Sequence, residues 1–291
     1  MTCKTMNRRR TACAAFLLAV SALSAMPGSA SAQTTRFVSM GSSYAAGPGV
    51  GQPDPASGGC ARSLTNYART VAAHRHLDLV DVSCSGATTE NILDHGQHGF
   101  PAQIEAVTPD TQLVSILIGG NDVAYVGDLY GFSCRFEHKD KCAVSDTATL
   151  ERRFAELPAK LDRVIAAVRT RAPHARIVLV GYLPALAAVA ADAEPLCSGL
   201  PLAPADARRM RETMARLTQV FEATAARNHV ALVPASAIAA GHNACAATNY
   251  ITGYHPAREP GWKEPVAYHP TQAGMDRIAL EFERVLAQSG Q

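Results

Sequence analysis

This chain of 291 residues has no run of Lys and Arg beyond its first ten residues, no second long apolar stretch, and no internal repeat or interdomain linker. Without a basic run there is no electrostatic footprint for nucleic acid. Without a further apolar run of roughly 20 residues no stable membrane insertion is expected. None of the cysteines has the short paired spacing of a zinc ribbon, so no metal is expected either. The formal net charge is only +2, and that excess belongs to the N-terminus.

Lys4 and Arg8-Arg9-Arg10 precede an apolar stretch from about Ala12 to Ala25 and then Ala30-Ser31-Ala32, the layout of a secretory signal peptide with a small-residue cleavage site. The stretch is short for a membrane anchor and carries Ser21 and Ser24. Residues 1–32 are therefore read as a signal peptide cleaved near Ala32, and 33–291 as a single domain of a secreted, extracellular protein. Losing the leader removes four positive charges and no negative ones, so the net charge becomes −2 (2 − 4) on 259 residues (291 − 32). That length suits one α/β domain with a substantial core.

Cys3 and Cys13 leave with the leader, and the mature chain keeps Cys60, Cys84, Cys134, Cys142, Cys197 and Cys245. An even number in an exported chain implies disulfides, but six cysteines allow 15 connectivities and the sequence does not choose among them.

Short β-branched runs at Arg36–Met40, Leu77–Val82, Leu113–Ile118, Arg176–Val180 and Val230–Val233 read as strands. Leu113–Ile118 is apolar almost throughout, as a parallel strand buried on both faces should be. Helical periodicity marks about Ser63 to His74, a segment carrying Leu157, Leu161, Val164, Ile165 and Val168, residues 205–227, and a last helix after Pro270 with Met275, Ile278, Phe282 and Val285 on one face. Pro158 is tolerable only near a helix start, and the region of Cys134 and Cys142 reads as a loop. Alternating strands and helices predict a three-layer α/β/α sandwich with a mainly parallel sheet of about five strands.

Three of the strands end in short polar pieces: Gly41-Ser42-Ser43-Tyr44, Cys84-Ser85-Gly86 and Gly119-Gly120-Asn121-Asp122. Open α/β sheets place their sites at such C-terminal strand ends. A serine hydroxyl is inert until a base takes its proton, and His269, in Tyr268-His269-Pro270, is the histidine with a distinctive setting. At the start of the last helix its ring would be held neutral and basic. A backbone N–H at Gly86 and the amide of Asn121 are donors suited to a developing oxyanion. Each piece alone also fits a turn, an Asx-turn or a packed helix entry. The pairs His74-x-His76 and His95-x-x-His98 lack the further ligands that would complete a metal site. The apolar segment Leu183 to Pro204 suits either an acyl pocket or a buried helix.

Taken together and in order, these pieces resemble the four blocks of the GDSL esterases and lipases, in the SGNH hydrolase superfamily. Gly41-x-Ser43-x-x-x-Gly47 is similar to the first block, Gly86 to the second, Gly119-Gly120-Asn121-Asp122 to the third and His269-Pro270 to the last. The resemblance covers essentially the whole mature chain. It implies a flavodoxin-like fold, no cofactor, and hydrolysis of a small-molecule or lipid ester through an acyl-enzyme. Ser43 would be the nucleophile and His269 its base, with the Ser43 and Gly86 N–H groups and the Asn121 side chain as oxyanion hole. The cysteine arrangement is similar to secreted actinobacterial members, which implies the pairs Cys60–Cys84, Cys134–Cys142 and Cys197–Cys245.

Two positions depart from the family pattern. Ser42 stands where the first block has an aspartate, and Val266 stands where the acid three residues before the histidine belongs. Some members of the secreted subgroup orient the histidine with a main-chain carbonyl, which here implies Val266 or Ala267. The Glu264 carboxylate folding back is the other candidate. Two rivals are a catalytically weak glycan- or lipid-binding protein on the same scaffold and an α/β-hydrolase-type esterase, whose nucleophile motif Gly41-Ser42-Ser43-Tyr44-Ala45 nearly fits.

Overall fold

The structure, a computed structural model, describes residues 1–2, 34–187, 196–255 and 265–288. Its chain order is β1 (Arg36–Gly41), α1 (Ser43–Ala46), α2 (Tyr67–Arg75), β2 (Asp78–Asp81), α3 (Thr89–Leu93), β3 (Leu113–Leu117), α4 (Tyr125–Phe136), α5 (Thr147–Arg171), β4 (Arg176–Val180), α6 (Pro204–Asn228), β5 (Ala231–Val233), α7 (Ala235–Ile238) and α8 (Gln272–Gln288). The five strands form one sheet in the order β2-β1-β3-β4-β5, and every pairing is parallel. β3 is buried at all five positions because its neighbours and both helical layers cover it. α2 and α8 pack together, and on the other side α5 packs with α3 and α6. The chain leaves β1 toward one edge and β3 toward the other, so the strand order reverses between them, which is where a doubly wound sheet opens a crevice at its C-terminal ends.

Several sequence expectations shift for identifiable reasons. α2 starts at Tyr67 rather than Ser63 because the Asn66 side chain caps it by accepting the Arg69 N–H at 3.0 Å, while Ser63 bridges to Pro53. α8 starts at Gln272. Pro270 pairs with Ile251 in an antiparallel bridge, and the Thr271 hydroxyl accepts the Gly274 N–H at 3.2 Å, as a capping residue does. Pro158 lies well inside α5, not near its start. The helix continues through it because Leu157, Leu161, Val164, Ile165 and Val168 are all buried, an apolar face whose packing outweighs the cost of proline inside a helix, about 3 kcal/mol.

The region of Cys134 and Cys142 is not simply a loop. Cys134 sits in α4, whose Tyr125, Leu129 and Phe132 are buried, a helical spacing masked in sequence by Gly127 and Gly131. Gly131 is required by packing, since a Cβ there would stand 2.0 Å from the Ala143 carbonyl oxygen. Disulfides join Cys60 to Cys84, Cys134 to Cys142 and Cys197 to Cys245. Residues 3–32 of the expected signal peptide and Glu264 lie outside the described residues.

Candidate active site

Ser43 opens the four-residue α1 directly after β1, and Ser42 is its extended N-cap residue. The N–H groups of a first helical turn have no intrahelical acceptor, and that of Ser43 has none among the described residues. Gly86 follows β2 and Asn121 follows β3. β1 lies between those two strands, so topology alone brings the three loops side by side.

The loops are bolted to one another. Gln103 ties into the end of β1 by accepting the Gly41 N–H at 2.8 Å and donating to its carbonyl at 3.0 Å. The Asn121 amide donates to the Ala87 carbonyl at 2.9 Å, which engages one of its two protons. Asp122 accepts the Thr89 hydroxyl at 2.5 Å and its N–H at 3.1 Å, fastening the loop after β3 to the start of α3. The Cys60–Cys84 disulfide secures the loop before Gly86. Gly86 has φ +81°, a conformation that suits glycine, and its N–H finds no acceptor among the described residues.

Ser42, which replaces the first-block carboxylate, shares a 3.2 Å hydrogen bond with the Tyr182 hydroxyl. That hydroxyl also accepts the Gly120 N–H at 2.9 Å. Tyr182 thus links the loops after β1 and β3 from its place beyond β4. Gly120 needs its missing side chain here, since a Cβ would lie 2.6 Å from the Tyr182 ring.

His269 reaches the site from the other end of the chain. Its Nε2 lies 2.7 Å from Ser43 Oγ and its Nδ1 2.8 Å from the Ala267 carbonyl oxygen. A carbonyl only accepts, so Nδ1 carries the proton and Nε2 is free to accept from the serine hydroxyl. Val266 does not supply that contact: its carbonyl accepts the His269 N–H at 3.1 Å and the Thr252 hydroxyl at 2.8 Å, and the residue is 43% exposed.

Burial is what holds the ring neutral here. His269 precedes α8 by three residues, and burial pushes its pKa from 6.5 down to about 4, the Ala267 hydrogen bond opposing and His255 reinforcing the shift. Both side chains are nearly enclosed, with Ser43 8% and His269 6% exposed.

Other residues singled out earlier lie elsewhere. His74 pairs with Glu283 at 3.0 Å, and no group of three or more His, Cys, Asp or Glu among the described residues is placed to hold a metal ion. Leu183 is buried in the core, whereas Pro184 and Leu186 line a cavity of about 450 Å³ against Met210 and Met214 of α6. No described helix is long and apolar enough to cross a membrane. Gln103 belongs to the Pro101-Ala102-Gln103 segment, which also resembles the family, whereas Tyr182 and Thr252 carry no motif of their own. For Tyr182 the signal was its position just past a predicted strand.

The GDSL-like lipase/acylhydrolase family matches residues 39–277. Lipase 2 of Streptomyces coelicolor is 31% identical over 95% of this chain and 95% of its own. Among solved structures, phospholipase A1 from Streptomyces albidoflavus NA297 superposes with a TM-score of 0.66 at 26% identity, covering 88% of this chain and 99% of its own. An extracellular lipase from Streptomyces rimosus gives the same TM-score at 27% identity, with the same coverage. The sheet order and a nucleophile candidate after the first strand argue against the α/β-hydrolase alternative, which places several strands before its serine.

Proposed function

The chain belongs to the GDSL-like lipase/acylhydrolase family and is a carboxylic ester hydrolase of that type, and we propose that it is secreted and works through an acyl-enzyme on Ser43. The contact that carries this reading is the 2.7 Å hydrogen bond from Ser43 Oγ to His269 Nε2, with the Ala267 carbonyl holding the opposite nitrogen.

Ser43 Oγ attacks the ester carbonyl as His269 Nε2 takes its proton. The tetrahedral oxyanion is received by the N–H groups of Ser43 and Gly86 and by the second amide proton of Asn121, donors fixed before the reaction begins. His269 then protonates the departing alcohol. Water repeats the sequence on the acyl-enzyme and releases the acid. A carbonyl at Nδ1 orients the ring without the counter-charge a carboxylate would bring, so the imidazolium relies on alignment.

Export of residues 33–291 after removal of a signal peptide is supported by the leader pattern, by six cysteines arranged in three disulfides and by the extracellular origin of the Streptomyces rimosus lipase. The relatives' names make lipid esters the first substrates to try. The test is hydrolysis of p-nitrophenyl esters from acetate to palmitate by the mature protein, beside Ser43→Ala and with a chelator. Activity should vanish in the variant and survive the chelator. An active Ser43→Ala protein would sink the mechanism.

A further inference from the structure

The residue between the orienting carbonyl and the catalytic histidine is in an unusual conformation. Tyr268 has φ +60°, the left-handed region that bulky aromatic residues rarely occupy. Such a conformation persists only where the surroundings impose it. It has a consequence for the site, because rotation about this residue would swing the Ala267 carbonyl away from Nδ1 of the ring two positions on.

Three contacts hold it. The Tyr44 hydroxyl donates to the Tyr268 carbonyl at 2.6 Å. The Tyr268 hydroxyl shares a short hydrogen bond with Ser133 of α4. The His269 N–H, on the far side of the same peptide, donates to the Thr252 hydroxyl at 3.1 Å. Tyr44 and Tyr268 are both fully buried, so neither hydroxyl has water as a ready substitute.

Tyr44 is also the residue after Ser43. Its main chain therefore continues from the nucleophile while its hydroxyl grips the peptide that leads into the base. Its ring lies 5.3 Å from the His269 ring and 4.7 Å from that of Tyr182, which packs it between the dyad and the hydroxyl joining Ser42 to Gly120.

The geometry points to Tyr44 and the left-handed Tyr268 as a positioning pair that aims the Ala267 carbonyl at His269 Nδ1, supplying by rigid backbone placement the orientation that a carboxylate side chain gives elsewhere. Neither residue touches the reacting atoms; both act through the histidine. Burial raises the Tyr44 pKa well above its ordinary value, which keeps the hydroxyl a neutral donor throughout the working pH range. The inference rests on the Ser43-His269 dyad proposed above.

The decisive variant is Tyr44→Phe, which deletes one oxygen and keeps the ring. In the mature protein it should lower kcat about tenfold or more with KM within about twofold, since only a group aligned for the chemical step is disturbed. Histidine labelled with a heavy nitrogen isotope should show the hydrogen-bonded Nδ1 proton of His269 in the parent protein and lose it to exchange in Tyr44→Phe. A merely structural hydroxyl would change thermal stability and leave that resonance and kcat alone.

A second comparison needs no intact Tyr44 variant. Tyr268→Asn and Tyr268→Val both remove the ring and its bond to Ser133, but asparagine tolerates the left-handed conformation and a β-branched residue does not. Tyr268→Asn should retain about tenfold more kcat than Tyr268→Val. Equal losses in that pair, or an unchanged kcat and Nδ1 resonance in Tyr44→Phe, would overturn the positioning role while leaving Ser43 dependence intact. Activity in Ser43→Ala would instead remove the dyad on which it stands.

Discussion

Burial of His269 should separate this enzyme from one with an ordinary histidine base, in both activity and stability. The base works only when neutral, so kcat/KM falls on the acid side as the free enzyme's ring is protonated. With the pKa lowered from 6.5 to about 4, at pH 5.5 more than about nine-tenths of the molecules keep a neutral ring, against roughly a tenth for an unperturbed histidine. The same difference is a stability term. Between pH 4 and 6.5 the unfolded chain binds a proton that the native ring refuses, so stability rises with pH across that window and is lost as pH falls through it. The full loss is about 3 kcal/mol, and at pH 4.5 it is already about 2.5 kcal/mol.

The reference is His269→Gln, which keeps a polar side chain of similar reach and does not titrate. Urea unfolding of both proteins at pH 4.5 and 7.5 cancels the other titrating groups, and the parent should lose about 2.5 kcal/mol more than the variant. The pH profile of kcat/KM on a short-chain p-nitrophenyl ester, taken over the range where the protein stays folded, gives the second reading. Equal acid losses in the two proteins together with half-maximal kcat/KM near pH 6.5 would refute the argument, because the ring would then be hydrated rather than buried.

Asn121→Ala should cut kcat by about a hundred- to a thousandfold, the usual cost of an oxyanion donor, and steady-state kinetics at saturating ester will read it with little change in KM. Glu264→Gln should leave ester hydrolysis within a few-fold of the parent. A loss of more than about a hundredfold, roughly 2.7 kcal/mol, would show that a carboxylate and not the Ala267 carbonyl supports the ring.

The strands and the chemistry-bearing pieces were legible because each depends on local sequence. A short apolar, β-branched run such as Leu113–Leu117 reads as a central strand, Gly-x-Ser and Gly-Gly-Asn-Asp stand at the ends of β1 and β3, and His-Pro stands just before the last helix. Helix limits were less legible, since Asn66 and Thr271 end a pattern that side-chain periodicity alone would carry further. α4 was hidden because Gly127 and Gly131 read as loop formers, although Gly131 serves the close approach of Ala143.

The sequence by itself determined the sheet class, the candidate serine and histidine and the lack of an acid at Val266, because these follow from residue type, order and resemblance to the family pattern. Which carbonyl meets Nδ1, what replaces the first-block aspartate and how far the ring's pKa falls were decided only in three dimensions. The Ala267 contact needs a left-handed Tyr268 held by Tyr44, a residue 224 positions away. The Ser42 contact needs Tyr182 from beyond β4, and the low pKa needs the burial of the ring in the folded chain. Hydrogen bonding and desolvation act over a few ångströms regardless of separation along the chain, so these properties exist only once the chain has closed on itself.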